Sequence, residues 1–430
     1  MDFEATLQYL FDQLPMYQRV GAVAFKKDLT NTIKLCELLG NPHHHLKAIH
    51  IAGTNGKGSV AHALAAVFTQ AGFKTGLYIS PHYKDFRERI KINGEYIPKE
   101  DVVRFVAENK LHFEKIQPSF FEMTVAMAFW HFAEQQTDFA VIETGLGGRL
   151  DSTNIIQPFL SVITNISYDH TAMLGNTYAL IAQEKAGIIK LNTPVVIGET
   201  HPETEPVFRK KAAEMNAPVF FADQNICVQN FQSLLTKSQL DVFQNNELIY
   251  TSLQTDLTGS YQSKNIATII QTTELLPSLG FDISRQTVAK ALQKVKSLTR
   301  FKGRWQILSE ANPLIIADSA HNEAGISYVV SQLSELPHRK LHIVFGAVND
   351  KDLHSIFTLL PVNAAYYFCK ADVPRGLPAA ELKQQAEVYG LKGLVYNSVN
   401  EAFRSAKFYA HSDDIIFVGG SIFVVAEVIE

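Results

Sequence analysis

A glycine-rich stretch with an embedded lysine and serine predicts chemistry most directly. It lies between Leu46 and Gly72 and reads LKAIHIAGTNGKGSVAHALAAVFTQAG. The apolar, β-branched run before the turn predicts a strand, and apolar residues three and four apart after it predict a helix. Glycines let the backbone approach phosphate oxygens, and the helix N-terminus adds partial positive charge. The stretch therefore predicts a phosphate site made by Gly53, Thr54, Asn55, Gly56, Lys57, Gly58 and Ser59.

Polar residues also follow two further predicted strands. The strand Phe139 to Ile142 delivers Glu143 at its end, and the strand Phe159 to Thr164 leads to His170. A carboxylate at the tip of a strand parallel to the phosphate strand is where a magnesium ligand is expected. A single histidine is more often structural, but the place of His170 at a strand end favours a functional role.

A charged segment follows the strand predicted from Lys74 to Ile79. It begins with Ser80, Pro81 and His82 and continues from Lys84 to Lys91. A polar loop at the carboxyl end of a parallel strand lies on the side where such sheets bind ligands. The same composition also suits a solvated face, and both interpretations stay open.

Strands and helices alternate along most of the chain after a helical region over residues 1–45. This alternation predicts a doubly wound, mostly parallel α/β sheet. Polar and aromatic strands between about 220 and 255 predict a small antiparallel segment, and the strand–helix pattern restarts near Ser297 to Arg304. We expect an ATP-binding domain over 1–298 and a smaller Rossmann-like α/β domain over 299–430.

Composition narrows the class of protein. The 430 residues are 46% hydrophobic and 19% charged with a net charge of −4, which gives no basic surface for nucleic acid. Three widely spaced cysteines and the lack of a signal-type or membrane-spanning run predict a cytoplasmic protein that binds no membrane, and we expect it to be a monomer. Consecutive histidines, His43 to His45, do not predict a metal site, because neighbouring side chains rarely converge on one ion.

Seven motifs, in order along nearly the whole chain, closely resemble those of the folylpolyglutamate synthase and dihydrofolate synthase family. They are HIAGTNGKGSV, SPH followed by DFRERIKINGE, FFEMTVAMAF, ETGLGGRLDSTN, TNISYDHTAMLGNTYALIAQEKAGIIK, GSYQSKN and DSAHN. That family belongs to the Mur ligase superfamily of ATP-dependent amide ligases. Gly58, which separates Lys57 from Ser59 and departs from the common phosphate-loop pattern, is normal in this family.

The resemblance implies a reaction in folate biosynthesis. The carboxylate of dihydropteroate or of a folate attacks the γ-phosphate of ATP, and the amine of L-glutamate then attacks the acyl phosphate. An amide, ADP and phosphate leave. The resemblance gives catalytic roles to Lys57, His170 and Lys185.

The resemblance also implies two Mg²⁺ sites. Ser80 and Glu143 would bind the first ion, and His170 with a carbamate on Lys185 would bind the second. A carbamate converts the cationic amine into a hard oxygen ligand, which magnesium prefers. From the residues alone, Lys185 would be an ordinary surface lysine.

Further contacts follow from the same motifs. The nucleotide would be bound by residues of both domains, namely Asn265, Arg304, Asp318 and His321 in addition to the glycine loop. The block Phe301-Lys302-Gly303-Arg304 keeps the arginine of the usual Trp-Pro-Gly-Arg. The pterin substrate would contact Phe121, Glu122, Met123, Thr124, Leu150, Asp151 and Ser152, with Ser152 at a position where alanine is common.

Two alternative functions use part of the same pattern. A cell-wall-type Mur ligase shares the chemistry but needs an N-terminal domain for its nucleotide-sugar substrate, and little chain precedes the phosphate loop. A non-catalytic nucleotide-binding module would need the glycine turn but not Glu143, His170 and Arg304. The sequence therefore favours the glutamate ligase.

Overall fold

The computed structural model describes residues 1–13, 28–349 and 351–429. Its chain forms two compact units. The first unit comprises Met1–Gln232, Gln239–Leu257 and Gln262–Phe301, and the second comprises Ser233–Ser238, Thr258–Tyr261 and Lys302–Glu430. The domain boundary expected after residue 298 stays a prediction. Of the helical region expected over 1–45, residues 14–27 lie outside the described part.

An eight-stranded sheet organises the first unit. Its strands are β1 Ala48–Ala52, β2 Thr75–Tyr78, β3 Ile90–Ile92, β4 Glu95–Tyr96, β5 Phe139–Glu143, β6 Leu160–Ile163, β7 Val195–Ile197 and β8 Val219–Phe221. Their order is β4-β3-β2-β5-β1-β6-β7-β8. The six strands β2, β5, β1, β6, β7 and β8, adjacent in that order, are all parallel. At the other edge, β3 pairs antiparallel with both β2 and β4.

The register of this sheet brings the polar strand ends to one edge. In the central pairs, Ile51 lies opposite Glu143 and Ala52 lies opposite Ile163. Parallel strands end at the same edge, so the segments after β2, β5, β1 and β6 share it. The glycine loop, Ser80, Glu143 and His170 therefore lie at or after the ends of neighbouring strands.

Helices cover both faces of the sheet. The described helices of the first unit are Phe3–Gln13, Thr30–Leu38, Lys57–Gln70, Lys99–Ile116, Phe120–Glu134, Thr171–Leu174, Tyr178–Lys185, Glu205–Glu214, Ala222–Asn225, Gln262–Leu275, Arg285–Leu292 and Val295–Thr299. Successive residues of β1 face opposite sides: Ile49 and Ile51 join the core around helix Lys57–Gln70, whereas Ala48 joins the core around helix Phe120–Glu134. Burial on both faces explains why β1 is apolar apart from His50, whose Nε2 lies 2.8 Å from Thr153 Oγ1.

A three-stranded sheet follows, formed by β9 Ile226–Ser233, β10 Ser238–Gln244 and β11 Glu247–Thr255. Asn245 and Asn246 link the last two strands with φ of 49° and 68°. Positive φ at both turn residues is the type I′ geometry that joins antiparallel strands. The predicted antiparallel segment is confirmed.

The second unit is built on a six-stranded sheet in the order β12-β13-β17-β14-β15-β16. Its strands are β12 Gln306–Ser309, β13 Leu314–Asp318, β14 Leu341–Phe345, β15 Ala365–Cys369, β16 Gly393–Tyr396 and β17 Ile415–Gly419. Its described helices are Glu323–Glu335, Leu353–Phe357, Ala379–Glu387, Val399–Tyr409 and Ile422–Ala426. All pairs are parallel except β12 with β13. The predicted class, a doubly wound α/β sheet with a smaller Rossmann-like α/β domain, is confirmed.

The helices of the described ranges also bear on membrane insertion. None of them is both long enough and apolar enough to cross a bilayer.

Candidate active site

Two glycines of the phosphate loop stand where no other residue fits. Gly53 and Gly56 have φ of 146° and 83°, and Gly56 begins helix Lys57–Gln70. A Cβ on Gly53 would lie 1.9 Å from Thr164 Oγ1, and one on Gly56 would lie 2.2 Å from Asn265 Oδ1. The loop therefore needs glycine both for its conformation and for the close approach of its neighbours.

The segment after β6 holds this loop in place. The backbone N–H of Thr54 donates to the Asn165 carbonyl at 2.9 Å, and that of Asn55 donates to Asn165 Oδ1 at 2.9 Å. Thr54 Oγ1 donates to the carbonyl of Ser167 (3.1 Å) and accepts from its N–H (3.0 Å). Asn165 and Ser167 were not predicted as site residues, although their position directly after a strand that neighbours β1 was a usable signal.

Lys57 and Lys185 meet at the same backbone carbonyl. The Lys57 amine donates to the carbonyls of Gly53 (3.0 Å) and Thr54 (3.1 Å), and the Lys185 amine donates to that of Gly53 at 2.7 Å. Lys185 is only 4% exposed. Burial, reinforced by the charge of Lys57, lowers the pKa of Lys185 to about 7 even though Asp169 and Asp151 act in the opposite direction.

Glu143 lies beside the start of the phosphate helix. It is buried at the end of β5, and a Cβ on Gly58 would be 3.8 Å from its Oε2. Ser59, in the first turn of that helix, accepts a hydrogen bond from Gln262 Nε2 at 3.2 Å. Gln262 in turn accepts from Asn265 Nδ2 at 2.8 Å. The structure thus links predicted nucleotide residues of the glycine loop to the helix Gln262–Leu275.

His170 occupies a left-handed backbone position, with φ of 50°, at the start of helix Thr171–Leu174. Its N–H donates to Asp169 Oδ1 at 2.9 Å, and its Nε2 lies 3.8 Å from Asp169 Oδ2. Asp169 also influences Lys185 electrostatically. His170 and Lys185 therefore share an acidic neighbour.

The predicted metal ligands are a mixed set of a hydroxyl, a carboxylate, an imidazole and a lysine. Ser80 follows β2, at the same edge as Glu143. Within the described ranges, no group of three or more His, Cys, Asp and Glu side chains could hold a metal ion.

The three consecutive histidines, which were not predicted to bind metal, are His43, His44 and His45. They lie in a short 3-10 helix.

The aromatic segment predicted to contact substrate begins helix Phe120–Glu134. A Cβ on Gly145 would lie 2.4 Å from Phe121 Cζ, so the ring packs against the strand-end loop that follows Glu143. Glu122 has a structural role, since its Oε2 accepts from the N–H of Ser119 (2.5 Å) and from Asn31 Nδ2 (3.3 Å). These donors compensate for burial of the Glu122 carboxylate.

The rest of that segment faces inward. Met123 is fully buried, and Thr124 Oγ1 donates to the Phe121 carbonyl at 2.9 Å. Thr124 Oγ1 also lies 3.3 Å from the hydroxyl of Tyr78, at the end of β2. Phe121 therefore contacts the loop after β5, whereas Met123 is fully buried.

Leu150, Asp151 and Ser152 lead into the 3-10 helix Ser152–Ile155. The Asp151 carboxylate accepts from the N–H of Leu146 (2.8 Å) and from the N–H and hydroxyl of Thr153 (3.0 and 2.6 Å). Burial raises the pKa of Asp151 despite these donors. Leu150 and Ser152 are partly buried and buried, respectively.

Predicted nucleotide residues of the second unit cluster at the end of β13. Asp318 is buried and accepts from the N–H of Trp305 (2.6 Å), the hydroxyl of Tyr261 (2.7 Å) and the N–H of Ala320 (2.8 Å). Arg304 donates to the Ser319 hydroxyl. His321 Nδ1 lies 2.9 Å from the Ser319 carbonyl. The structure therefore brings Arg304, Asp318 and His321 together through Ser319 and the backbone.

The loop after β2 contains a pair, buried Arg89 and partly buried His82, that was not predicted to have a role. Arg89 is 3% exposed, and its Nε donates to His82 Nδ1 at 2.7 Å. Burial and the charge of Arg89 lower the pKa of His82 well below its usual range. A charged run with a histidine directly after a strand was the available signal, but the pattern does not separate buried from solvated charges.

Two family models match the chain. The Mur ligase middle domain matches residues 51–272, and the Mur ligase glutamate ligase domain matches residues 303–422. Together they cover the phosphate loop, Glu143, His170 and Lys185 as well as Arg304, Asp318 and His321. The chain therefore has the two domains of a Mur-type ligase.

Relatives of this chain carry names from folate metabolism. A dihydrofolate synthase/folylpolyglutamate synthase of Bacillus subtilis is 33% identical over 94% of this chain and 94% of its own length. A probable bifunctional folylpolyglutamate synthase/dihydropteroate synthase of Haloferax volcanii is 32% identical over 99% of this chain, but the match spans only 50% of that longer relative. The chain belongs to the folylpolyglutamate synthase and dihydrofolate synthase family, whose members are ATP-dependent ligases. The predicted family and enzyme class are confirmed.

Solved structures agree over the full length. Folylpolyglutamate synthase of Mycobacterium tuberculosis, in complex with ADP and AMPPCP, has a TM-score of 0.87 and 31% identity and covers 99% of this chain and 98% of its own. Escherichia coli FolC in complex with DHPP and ADP has a TM-score of 0.85 and 27% identity, with coverage of 100% and 97%. A bifunctional folylpolyglutamate synthase/dihydrofolate synthase with Mn, AMPPNP and L-glutamate bound has a TM-score of 0.84 and 27% identity, with the same coverage.

Proposed function

We propose that this enzyme joins the amine of L-glutamate to the carboxylate of dihydropteroate, of a folate or of both, and converts ATP to ADP and phosphate. The observation that carries the proposal is the convergence of the Lys57 and Lys185 amines on the Gly53 carbonyl, inside a glycine loop that begins a helix. Relatives crystallised with DHPP, ADP and L-glutamate support the same substrates.

The proposed reaction has two bond-forming steps. A substrate carboxylate oxygen attacks the γ-phosphorus, the bond to the bridging oxygen breaks, and ADP leaves. The glutamate amine then attacks the acyl carbon and loses a proton, and phosphate leaves as the amide forms. The first step joins an anion to a polyphosphate, so it requires compensation of charge more than proton transfer. Lys57 and the N–H groups at the start of helix Lys57–Gln70 would supply that compensation.

We propose Mg²⁺ as the divalent metal, held by Ser80 and Glu143 at one site and by His170 and a carbamylated Lys185 at the other. A serine hydroxyl, a carboxylate and carbamate oxygens are the hard donors that Mg²⁺ prefers, so the residues fit the ion. The relative with Mn bound supports a divalent metal. When bound, the metal adds positive charge at the phosphate oxygens.

The carbamate requires a neutral lysine amine. The Lys185 nitrogen attacks the carbon of CO₂, an N–C bond forms, and the amine proton is released. Because burial lowers the pKa of Lys185 to about 7, a substantial fraction of this amine is uncharged at neutral pH, unlike that of an exposed lysine. The low pKa is therefore the structural support for carbamylation.

We also propose contacts to the nucleotide and to the pterin-linked substrate. Asn265, Arg304, Asp318 and His321 would contact the nucleotide, and Phe121 would stack on the pterin-linked substrate. Glu122 and Asp151 would act by fixing the local backbone, since both carboxylates accept backbone N–H groups. Met123, Thr124, Leu150 and Ser152 would complete the shape of that substrate site.

The experiment that tests the proposal is product analysis. The purified enzyme is incubated with ATP, Mg²⁺ and L-glutamate and either dihydropteroate or tetrahydrofolate, and products are measured by mass spectrometry. A glutamyl adduct with either acceptor supports the ligase, and the acceptor that reacts identifies the activity. If neither dihydropteroate nor tetrahydrofolate gave a glutamyl adduct, the proposed ligase activity would be contradicted.

We also propose that the enzyme acts in the cytoplasm as a monomer. The three cysteines, Cys36, Cys227 and Cys369, are all free, which suits a reducing compartment. Light scattering coupled to size-exclusion chromatography tests the monomer, and a mass near twice 48.0 kDa would contradict it.

A further inference from the structure

Buried Arg89 and partly buried His82 form a hydrogen-bonded pair at the edge of the sheet that also carries Ser80 and Glu143. Arginine has only donors, so His82 Nδ1 must accept the bond from Arg89 Nε, which is 2.7 Å long. An imidazole whose Nδ1 accepts carries its proton on Nε2. The pair therefore fixes His82 as a donor at Nε2.

The surroundings of Arg89 make His82 a strong donor toward an anion. Arg89 is also hydrogen-bonded to Tyr78, and its guanidinium lies 5.4 Å from the ring centroid of Phe120. A buried cation behind an imidazole polarises the far N–H group and disfavours any role as a base. This is the reverse of the arrangement in which a carboxylate behind a histidine makes it a base.

The loop that carries the pair is held rigidly. The Glu88 carboxylate accepts the backbone N–H groups of Tyr83 (2.6 Å), Lys84 (3.2 Å) and Asp85 (3.2 Å). With these bonds, Glu88 fixes the short segment between His82 and Arg89. Such preorganisation is what a binding site needs and what a solvated face does not.

Aromatic contacts connect the pair to the segment assigned to the pterin substrate. The ring centroids of His82 and Phe86 are 6.3 Å apart, and those of Phe86 and Phe120 are 5.8 Å apart. Tyr78, the second partner of Arg89, lies 3.3 Å from Thr124 Oγ1. The pair thus lies next to Phe120, which directly precedes the assigned Phe121–Thr124 segment, and this favours the substrate carboxylate over a phosphate as its anion.

We propose that His82 donates from Nε2–H to the carboxylate of the pterin-linked substrate, and that Arg89 is the positioning residue that holds His82 in this form. The inference rests on the proposed function, because it takes the acyl substrate from it. It adds a specificity contact on the carboxylate that reacts.

The test compares His82→Gln with His82→Leu. Glutamine keeps an N–H donor near the Nε2 position, whereas leucine fills a similar volume without one. We expect His82→Leu to raise KM for dihydropteroate at least about tenfold, as loss of a hydrogen bond to a charged group does, and His82→Gln to stay within about threefold. KM for ATP should not change in either variant.

Arg89→Lys and Arg89→Leu test the positioning role. Lysine still donates to His82 Nδ1 and should retain most of the affinity, whereas leucine should reproduce the effect of His82→Leu. His342→Gln, which alters a buried histidine of the second unit bonded to Asp414, controls for a general loss of stability and should leave KM for dihydropteroate unchanged. If Arg89→Leu does not fold, the two His82 variants decide.

Equal effects of His82→Gln and His82→Leu, or a parallel rise in KM for ATP, would overturn the inference. Calorimetric titration of the same variants with dihydropteroate measures the binding contact of His82 separately from the reaction. A wild-type enzyme that binds dihydropteroate but forms no product would defeat the proposed function, while a selective loss of binding in His82→Leu would still support this contact.

Discussion

The amines of Lys57 and Lys185 donate to one acceptor, the carbonyl oxygen of Gly53, at 3.0 and 2.7 Å. Two amines at one oxygen repel each other if both are charged, and the charge of Lys57 contributes to the low pKa of Lys185. The arrangement therefore favours one cationic lysine and one neutral lysine. We assign the cation to the phosphates and the neutral amine to carbamylation.

Lys57→Ala removes the cation from the phosphate loop without removing core packing, since Lys57 is only partly buried. We expect kcat/KM to fall at least about 100-fold, the usual loss when one group that stabilises transition-state charge is removed. Circular dichroism and the unfolding midpoint should match the wild-type protein. Lys47→Ala, at an exposed lysine just before β1, is the matched control and should keep full activity. Near-normal turnover in Lys57→Ala would refute the phosphate assignment.

Carbamylation of Lys185 should depend on pH in a defined direction. With a pKa of about 7, roughly one-tenth of the amine is neutral at pH 6 and roughly nine-tenths at pH 8. The rate of activation by bicarbonate after removal of CO₂ should therefore rise through this range and level off above it. Carbon-13 NMR with labelled bicarbonate measures the carbamate directly.

Lys185→Ala should lose nearly all activity while ATP binding largely persists, because the glycine loop and Glu143 remain. Acetate could restore part of the rate by supplying the missing oxygen. An unmodified amine in a fully active, bicarbonate-supplied wild-type preparation would exclude the carbamate.

Gly56→Ala should impair nucleotide binding through geometry alone. The new Cβ would lie 2.2 Å from Asn265 Oδ1 at a φ of 83°, so the loop or Asn265 must move. Gly72→Ala is the matched control, because Gly72 has φ of 93° but nothing within 4 Å of the new Cβ. We expect Gly72→Ala to lower the free energy of unfolding by about 1 kcal/mol and to leave ATP affinity unchanged. Calorimetric titration with AMPPCP should show an affinity at least tenfold lower for Gly56→Ala than for the wild-type protein, on the order of 1.4 kcal/mol, and no change for Gly72→Ala. Equal affinities of Gly56→Ala and the wild-type protein would contradict this prediction.

Asp318→Ala should destabilise the second unit. It leaves the N–H groups of Trp305 and Ala320 and the hydroxyl of Tyr261 without their acceptor. We expect a loss of at least about 2 kcal/mol in chemical denaturation, against about 1 kcal/mol for Tyr261→Phe, which removes one of these bonds. Equal losses in the two variants would show that the hydroxyl alone accounts for the role of Asp318 in stability.

The sequence was informative where burial and periodicity coincide. The apolar runs of β5 and β17, and of β1 apart from His50, predicted buried parallel strands because both faces of each are covered. The strands β12 and β16 were not predicted. They lie at the two edges of the second sheet and are only four residues long, so their periodic signal is weak.

Site residues divide in the same way. The glycine loop and Glu143 follow strands and were found from local pattern. The burial of Lys185 depends on contacts with Gly53, far away in the chain, and its polar surroundings Gln183-Glu184 predict an exposed position. Two further hydrogen bonds, from Asn31 to Glu122 and from Arg89 to His82, also could not be predicted from local sequence patterns.

The decisive measurement of the ligase activity is whether ADP release requires both the pterin-linked carboxylate and L-glutamate. ADP formation is measured with ATP and Mg²⁺ alone, with dihydropteroate or L-glutamate added singly, and with both together. We predict sustained release only when the pterin-linked carboxylate and glutamate are both present, with one phosphate released per amide formed. ADP release at the same rate with and without dihydropteroate and L-glutamate would contradict the assignment of this chain as a glutamate ligase.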